Sequence, residues 1–340
     1  MKALVFTAPR KIELRDVDEP RARAGEVVVT VEAAGICGSD VHGFSGASGR
    51  RVPPLVMGHE VAGTVLAVGE DVSSVRPSDR VAIDSIVSCG RCPACRAGRR
   101  NVCQNRRGVG IHLAGAYAER LVVPASVVVA LPQGLAWDRA ALIEPLAVAL
   151  HAVDRTVLPR GGSLAVVGTG AIGLLIVLAA RSRGVGPIIA IDRNERRLGL
   201  AHRLGAEATI HADSRDVAGE IRDAAHGQGV DAVIDAVGIE ATARQAVELV
   251  RPGGQVTLVG NTGSRLELDI QDLVGREVTV RGSYGSNGEF AEAMEMLADG
   301  RIDVDPLIEL TVPLAEGPSI FRRLADTSLD AVKVILHPQA

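Results

Sequence analysis

The stretch that decides the fold is VVGTGAIGLL, residues 166–175, in which Gly168, Gly170 and Gly173 stand in the spacing G-x-G-x-x-G. It follows the apolar run SLAVV and opens a second apolar segment, so the glycines fall in a strand–turn–helix setting. There they let the backbone turn tightly and approach a pyrophosphate at a helix N-terminus, where free N–H groups and the helix dipole favour an anion. Ile172 lies inside the same turn. With 38 glycines in the chain the spacing alone would mean little; its context gives it weight. The next apolar run, PIIAID, ends on Asp192, about 20 residues beyond the glycines, where an acidic side chain accepts the adenosine ribose hydroxyls and repels a 2′-phosphate. NAD is therefore expected ahead of NADP, although the adjoining Arg193 pulls toward NADP. Arg197 is a candidate to cover the adenine, or simply an arginine on a helix surface.

Outward from this turn the rhythm of strand then helix repeats. PIIAID is followed by RNERRLGLAHRLG, DAVIDAVG by IEATARQAVELVRPGG, and QVTLVG comes next. Such alternation predicts a doubly wound parallel sheet covered by helices. Before about residue 130 the chain reads instead as short Val-rich strands broken by turns: VVVTVEAAG (27–35), HEVAGTVLAVG (59–69) and DRVAIDSIV (79–87). After about residue 285 a helix, EFAEAMEMLADG, and a last strand, AVKVIL, close the chain. At 340 residues two domains are expected.

The composition, 47% apolar and 23% charged, is that of a soluble globular protein, and with only 2% aromatics its core must rest on Val, Leu, Ile and Ala. A net charge of −4 gives no whole-protein attraction to nucleic acid or to an anionic membrane. Basic residues are 3 Lys (Lys2, Lys11, Lys333) against 34 Arg. The longest apolar run near the glycines, LLIVLAA at 174–180, is too short to span a bilayer, and the N-terminal apolar run is too short for a signal peptide. A cytoplasmic protein is expected.

In that reducing compartment clustered cysteines read as metal ligands rather than disulfides. Four of the five cysteines, Cys89, Cys92, Cys95 and Cys103, fall in CGRCPACRAGRRNVC with the spacing C-x2-C-x2-C-x7-C. Four thiolates close a tetrahedral zinc site and leave no open position, which makes it structural. Reduced surface thiols or an iron–sulfur cluster rank below zinc. Six arginines decorate this lobe, but no aromatic side chain lies within 89–107 to stack a base, so a solvated surface or subunit contact is the better reading than nucleic-acid binding. The fifth cysteine, Cys37, precedes His59 and Glu60 by 22 and 23 residues. A thiolate and an imidazole are two ligands of a catalytic zinc, which takes a third protein ligand and keeps one position open. Glu60 and Glu144 are both candidates for the third. Taken singly, Cys37 reads as a small buried hydrophobe and His59 as a satisfied loop histidine.

These residues carry a resemblance. GHEVAGTVLAVGEDV resembles the signature of zinc-dependent alcohol dehydrogenases in the medium-chain dehydrogenase/reductase family. CGSDVH at 37–42 is similar to that family's ligand-and-relay segment and CGRCPACRAGRRNVC to its structural-zinc lobe, in matching order over nearly the whole chain. The resemblance implies a GroES-like β-barrel catalytic domain over 1–146, a Rossmann NAD-binding domain over 147–284, and a return to the catalytic domain over 285–340. It implies two Zn2+ ions per subunit: a catalytic ion on Cys37, His59 and either Glu60 or Glu144, and a structural one on the four clustered cysteines. Ser39 falls where the family takes up the substrate's hydroxyl proton and His42 where it passes that proton outward. Asp40 is either a partner that orients His59 or a turn-capping aspartate.

The implied reaction moves a hydride between NAD(H) and a small-molecule secondary alcohol in a cleft between the two domains, with a homodimer or homotetramer as the usual assembly and 278–284 as a subunit contact. No nucleic-acid or membrane partner is implied. Glu144 and the short loop after His42 resemble polyol-type members, whereas GSYGS at 282–286 departs from the sorbitol dehydrogenase pattern by putting Gly285 where an arginine helps hold a polyol. GSYG is nearer to threonine dehydrogenases, and butanediol dehydrogenases are similar in plan. A polyol or vicinal diol is the expectation, with L-threonine or 2,3-butanediol as alternatives, and a non-catalytic NAD- and zinc-binding regulator as the reading from another class. A zinc-free quinone reductase would lack the cysteines.

Overall fold

A computed structural model of the chain describes residues 1–225, 227 and 229–340. It divides into two compact units, residues 1–144 with 287–340, and residues 145–286. Among the described residues no helix is long and apolar enough to cross a membrane.

The first unit is built on a seven-stranded, mainly antiparallel sheet. The long Val-rich strand Glu26–Gly35 lies between Glu60–Val68 and the chain's last strand, Lys333–His337, and also pairs with Arg120–Pro124. DRVAIDSIV is not one strand: it divides into Arg80–Ile83 and Ile86–Val87, because Asp84 and Ser85 turn the chain between them. The C-terminal strand meets the N-terminal one with Ile335 opposite Gly35 and Leu336 opposite Ala34. This pairing carries Lys333 into the heart of the unit. Aliphatic residues dominate the core, but the few aromatics are concentrated here: Phe321 packs on Phe44 and Tyr117 at ring-centroid distances of 5.5 and 5.6 Å.

The second unit is a six-stranded parallel sheet. In sheet order its strands are Ala208–His211, Ile188–Asp192, Leu164–Val167, Val230–Asp235, Val250–Leu258 and Thr279–Gly282. Every residue of Leu164–Val167 is buried, as a strand covered by helices on both faces must be. Chain order reverses on either side of that strand, the switch point at which such sheets open a crevice for a ligand. Ala208–His211 and the helix Val217–Ala224 completed the alternation without standing out in the sequence, since four residues, ATIH, give no clear period.

Candidate active site

Cys37 follows the strand Glu26–Gly35 and caps the helix Gly38–Phe44, so its side chain stands where sheet passes into helix. On the neighbouring strand Glu60 pairs opposite Gly35, and this register places His59 and Glu60 at the same end. One ligand atom from each of Cys37, His59 and Glu60 lies within 4.8 Å of the others. Glu144, on the helix Ile143–Arg155, stands outside that group; its carboxylate accepts a hydrogen bond from Ser85 Oγ at 2.8 Å. Burial pushes its pKa up to about 7, with the His59 imidazole opposing and the Glu60 carboxylate adding to the rise.

Around the group runs a buried network of charge. Asp40 is fully buried, yet it faces three donors: Arg51 Nη2 at 2.5 Å from Oδ1, Tyr117 OH at 2.6 Å from Oδ2, and His59 Nδ1 at 3.4 Å from Oδ2. Burial works to raise its pKa, but His59 and Arg51 outweigh it and hold the carboxyl well below the usual range. Asp40 thus pairs with Arg51 and Tyr117 and stands close to His59, which goes beyond any turn-capping part. His59 shows the reciprocal effect: burial opposes its charge, while Asp40 and Cys37 hold the imidazolium well above its ordinary pKa. Negative groups that raise the affinity for a proton there also favour a divalent cation in its place, and thiolate, imidazole and carboxylate are a donor set that suits zinc.

Lys333, one of the chain's three lysines and not singled out as a site residue by the sequence, belongs to this network. It is 1% exposed, and its Nζ donates to Glu60 Oε1 at 2.8 Å, Glu60 Oε2 at 2.6 Å and the Ile36 carbonyl at 3.2 Å. Burial alone would lower the ammonium's pKa; Glu60 first, then Cys37, turns the net effect upward. Its one sequence signal is a lysine inside a short apolar strand, which is rarely buried without a partner. Ser39 and His42 lie on the helix Gly38–Phe44 three residues apart, hence on one face. Ser39 is exposed, donates to Cys37 Sγ at 3.3 Å and accepts from Arg51 Nη2 at 3.1 Å.

The cysteine lobe forms a second group. The ligand atoms of Cys89, Cys92, Cys95 and Cys103 lie within 4.8 Å of one another. Sγ of Cys92 is 3.8 Å from that of Cys103, the separation that two thiolates about 2.3 Å from a tetrahedral zinc would have. Backbone N–H groups of Arg91 and Cys92 draw the Cys89 thiol down to about 6, while desolvation and neighbouring thiols push Cys95 up to about 11. Between Cys89 and Cys103 only Cys92, Asn101 and Cys103 are buried, so no apolar core holds this lobe.

In the second unit Gly168 takes φ +90° and a Cβ at Gly173 would lie 1.7 Å from the Gly168 carbonyl oxygen, so the turn admits glycine alone at both places. Gly170 caps the helix Ala171–Ser182, and Ile172 is half-buried in its first turn. Asp192 accepts from Thr169 N at 2.6 Å and Asn194 N at 2.9 Å, which fixes its carboxylate beside the turn. A cavity of about 730 Å³ opens there, lined by Gly168, Asp192, Arg193, Thr242 and Arg244 among others. Arg193 Nε pairs with Asp213 at 3.1 Å. Arg197, half-buried on the helix Glu195–Leu204, is not among the lining residues; Arg244 is, and the sequence did not single it out.

Two family models match the chain: an alcohol dehydrogenase GroES-like domain over residues 23–133 and a zinc-binding dehydrogenase domain over 171–299. Sorbitol dehydrogenase of Bacillus subtilis is 33% identical over 99% of this chain and 97% of its own. L-threonine 3-dehydrogenase of Pyrococcus furiosus is 35% identical over 91% of this chain and 90% of its own. Among solved structures, a zinc-binding dehydrogenase of Sinorhizobium meliloti bound to NADP superposes with a TM-score of 0.91 at 35% identity, covering 99% of both chains.

Proposed function

The chain belongs to the zinc-type medium-chain dehydrogenase/reductase family, NAD(P)-dependent oxidoreductases acting on small alcohols, and from that premise we propose that it oxidises a polyol or vicinal diol with NAD. The observation that carries this reading is the convergence of Cys37, His59 and Glu60 beside the Ser39 hydroxyl. A zinc ion held by Cys37, His59 and Glu60 would supply the Lewis acid that polarises the substrate's hydroxyl oxygen. Ser39 would accept the hydroxyl proton as its own proton is passed on, and His42, on the same helix face, would carry that proton to solvent. Asp40 fixes the imidazole of His59, and Lys333 balances the charge of Glu60. Gly168, Gly170 and Gly173 would hold the dinucleotide, and its nicotinamide, when bound, would supply the hydride acceptor.

NAD is favoured over NADP because the Asp192 carboxylate lines the nucleotide cavity, and Arg193 there is already paired with Asp213. A second zinc ion belongs on the four clustered cysteines, where it takes the place of a core. Homodimers or homotetramers fit the open edge strand Thr279–Gly282. L-Threonine is the second substrate reading, supported by the GSYG segment at 282–285 and by the relative of that activity. The test is absorbance of reduced nicotinamide when zinc-loaded protein meets NAD or NADP and a panel of polyols, 2,3-butanediol, L-threonine and simple secondary alcohols. A rate with polyols or diols and NAD that Cys37→Ser abolishes is the expected result. A rate with L-threonine alone selects the second reading, and silence with zinc and NAD both bound would overturn both.

A further inference from the structure

Arg51 comes from the loop after the helix Gly38–Phe44, and its side chain is only 3% exposed. A buried guanidinium is always charged and needs a reason to be where it is. One nitrogen, Nη2, touches two groups at once: it lies 2.5 Å from Asp40 Oδ1 and donates to Ser39 Oγ at 3.1 Å. The stem packs against Gly43, inside the helix Gly38–Phe44, where a Cβ would lie 2.3 Å from Arg51 Cδ, so a glycine of poor helix propensity makes room for it. Asp40 alone would be satisfied by any cation, and the contact with Ser39 adds something that neutralisation does not require. With one lone pair of Oγ taken by the guanidinium, the Ser39 hydroxyl is turned so that its hydrogen points toward Cys37 Sγ. The other Asp40 oxygen meanwhile faces His59 Nδ1 and accepts from Tyr117.

We propose that Arg51 is a positioning residue of the dehydrogenase reaction, which holds Ser39 Oγ so that its remaining lone pair faces the substrate's hydroxyl and receives that proton as the Ser39 hydroxyl passes its own proton on. One carboxylate, Asp40, thereby couples the geometry of the proton acceptor to that of the metal-binding histidine. The proposal rests on the reading in which Ser39 is the first proton acceptor.

The test is a double-mutant cycle on zinc-loaded full-length protein, with whichever alcohol and nicotinamide the wild type uses. The variants are Ser39→Ala, Arg51→Gln, Arg51→Lys and the double variant Ser39→Ala/Arg51→Gln; kcat, KM, zinc content and thermal midpoint are read for each. Arg51→Gln is expected to lower kcat about tenfold or more, the size of a lost charge-assisted hydrogen bond, with KM little changed. Arg51→Lys keeps a cation opposite Asp40, so it retains wild-type zinc content and midpoint while kcat falls part of the way. In the Ser39→Ala background Arg51→Gln changes kcat by no more than about twofold, because the hydroxyl it positions is gone.

The proposal is overturned if the two losses multiply in the double variant, or if Arg51→Gln keeps the wild-type kcat. It is equally overturned if Arg51→Lys loses zinc and midpoint along with activity, which would make the arginine structural alone. A wild-type rate for Ser39→Ala removes Ser39 from the proton path and the proposal with it. An inactive wild type refutes the dehydrogenase reading itself, so the two failures are told apart.

Discussion

Replacing Lys333 by Met leaves the stem in place and removes the ammonium from a pair whose two side chains are each 1% exposed. Glu60 loses hydrogen bonds of 2.8 and 2.6 Å and stays buried close to the Cys37 sulfur. Breaking a buried pair from one side costs about 3–5 kcal/mol, because the stranded charge is neither solvated nor compensated. In metal-free protein Lys333→Met is therefore expected to lower the free energy of unfolding by about that much. Zinc bound at this group would supply Glu60 with another positive partner, so the loss should shrink when the metal is present. By linkage, the variant then binds zinc at this site more tightly than the wild type does.

The assay is guanidinium unfolding of chelator-treated and zinc-loaded protein, with zinc affinity from competition against a chromophoric chelator. The four-cysteine lobe is present in wild type and variant alike, so its contribution cancels in the difference. Glu60→Gln/Lys333→Met, which neutralises both ends, should recover most of the lost stability. If Lys333→Met costs as much in the Glu60→Gln background as alone, the pair is not the source of the effect. If the cost is the same with and without zinc, Glu60 does not face the metal, and the third ligand must be sought at Glu144.

Three further outcomes are expected. Gly173→Ala forces a methyl group onto the Gly168 carbonyl, 1.7 Å away, so nicotinamide-cofactor affinity measured by calorimetry should fall about tenfold or more while zinc content is unchanged. Cys103→Ser should reduce bound zinc, measured by atomic absorption, by one ion per chain, and should expose the arginine-rich lobe to faster tryptic cleavage, since apart from the cysteines only Asn101 is buried there. Asp235 is fully buried, and burial raises its pKa against the hydrogen bonds from Val237, Gly238 and Thr242. The folded chain therefore binds the proton more tightly than the unfolded one. Stability from this group is fully present below the ordinary Asp value and is lost as pH rises through the raised one. Asp235→Asn should flatten that slope in denaturant titrations from mildly acid to neutral pH and should leave the protein no less stable at neutral pH.

What was legible in the sequence was local. The glycine turn shows itself because strand, glycines and helix follow one another within a dozen residues, and the cysteine lobe because its four thiols share fifteen. Cys37 follows one of two paired strands, and His59 and Glu60 stand at the start of the other, so their nearness also follows from short-range order. The groups that adjust this site come from farther away. Lys333 reaches Glu60 across 273 residues, and only the pairing of the last strand with Glu26–Gly35 brings them together. Arg51 is near in sequence, but its meaning lies in a loop folding back beneath a helix, where Gly43 leaves room for its stem.

The same distinction separates Glu60 from Glu144. Both carboxylates were plausible ligands by type, and only the sheet register, which sets Glu60 opposite Gly35, puts one of them within 4.8 Å of both Cys37 and His59. Residue type tells which chemistry is possible, and register tells which residues perform it. In this chain the register of the central strands brings Glu60 and Lys333 together beside Cys37 and His59, so substitutions that shift that register should alter zinc affinity before they alter the glycine turn.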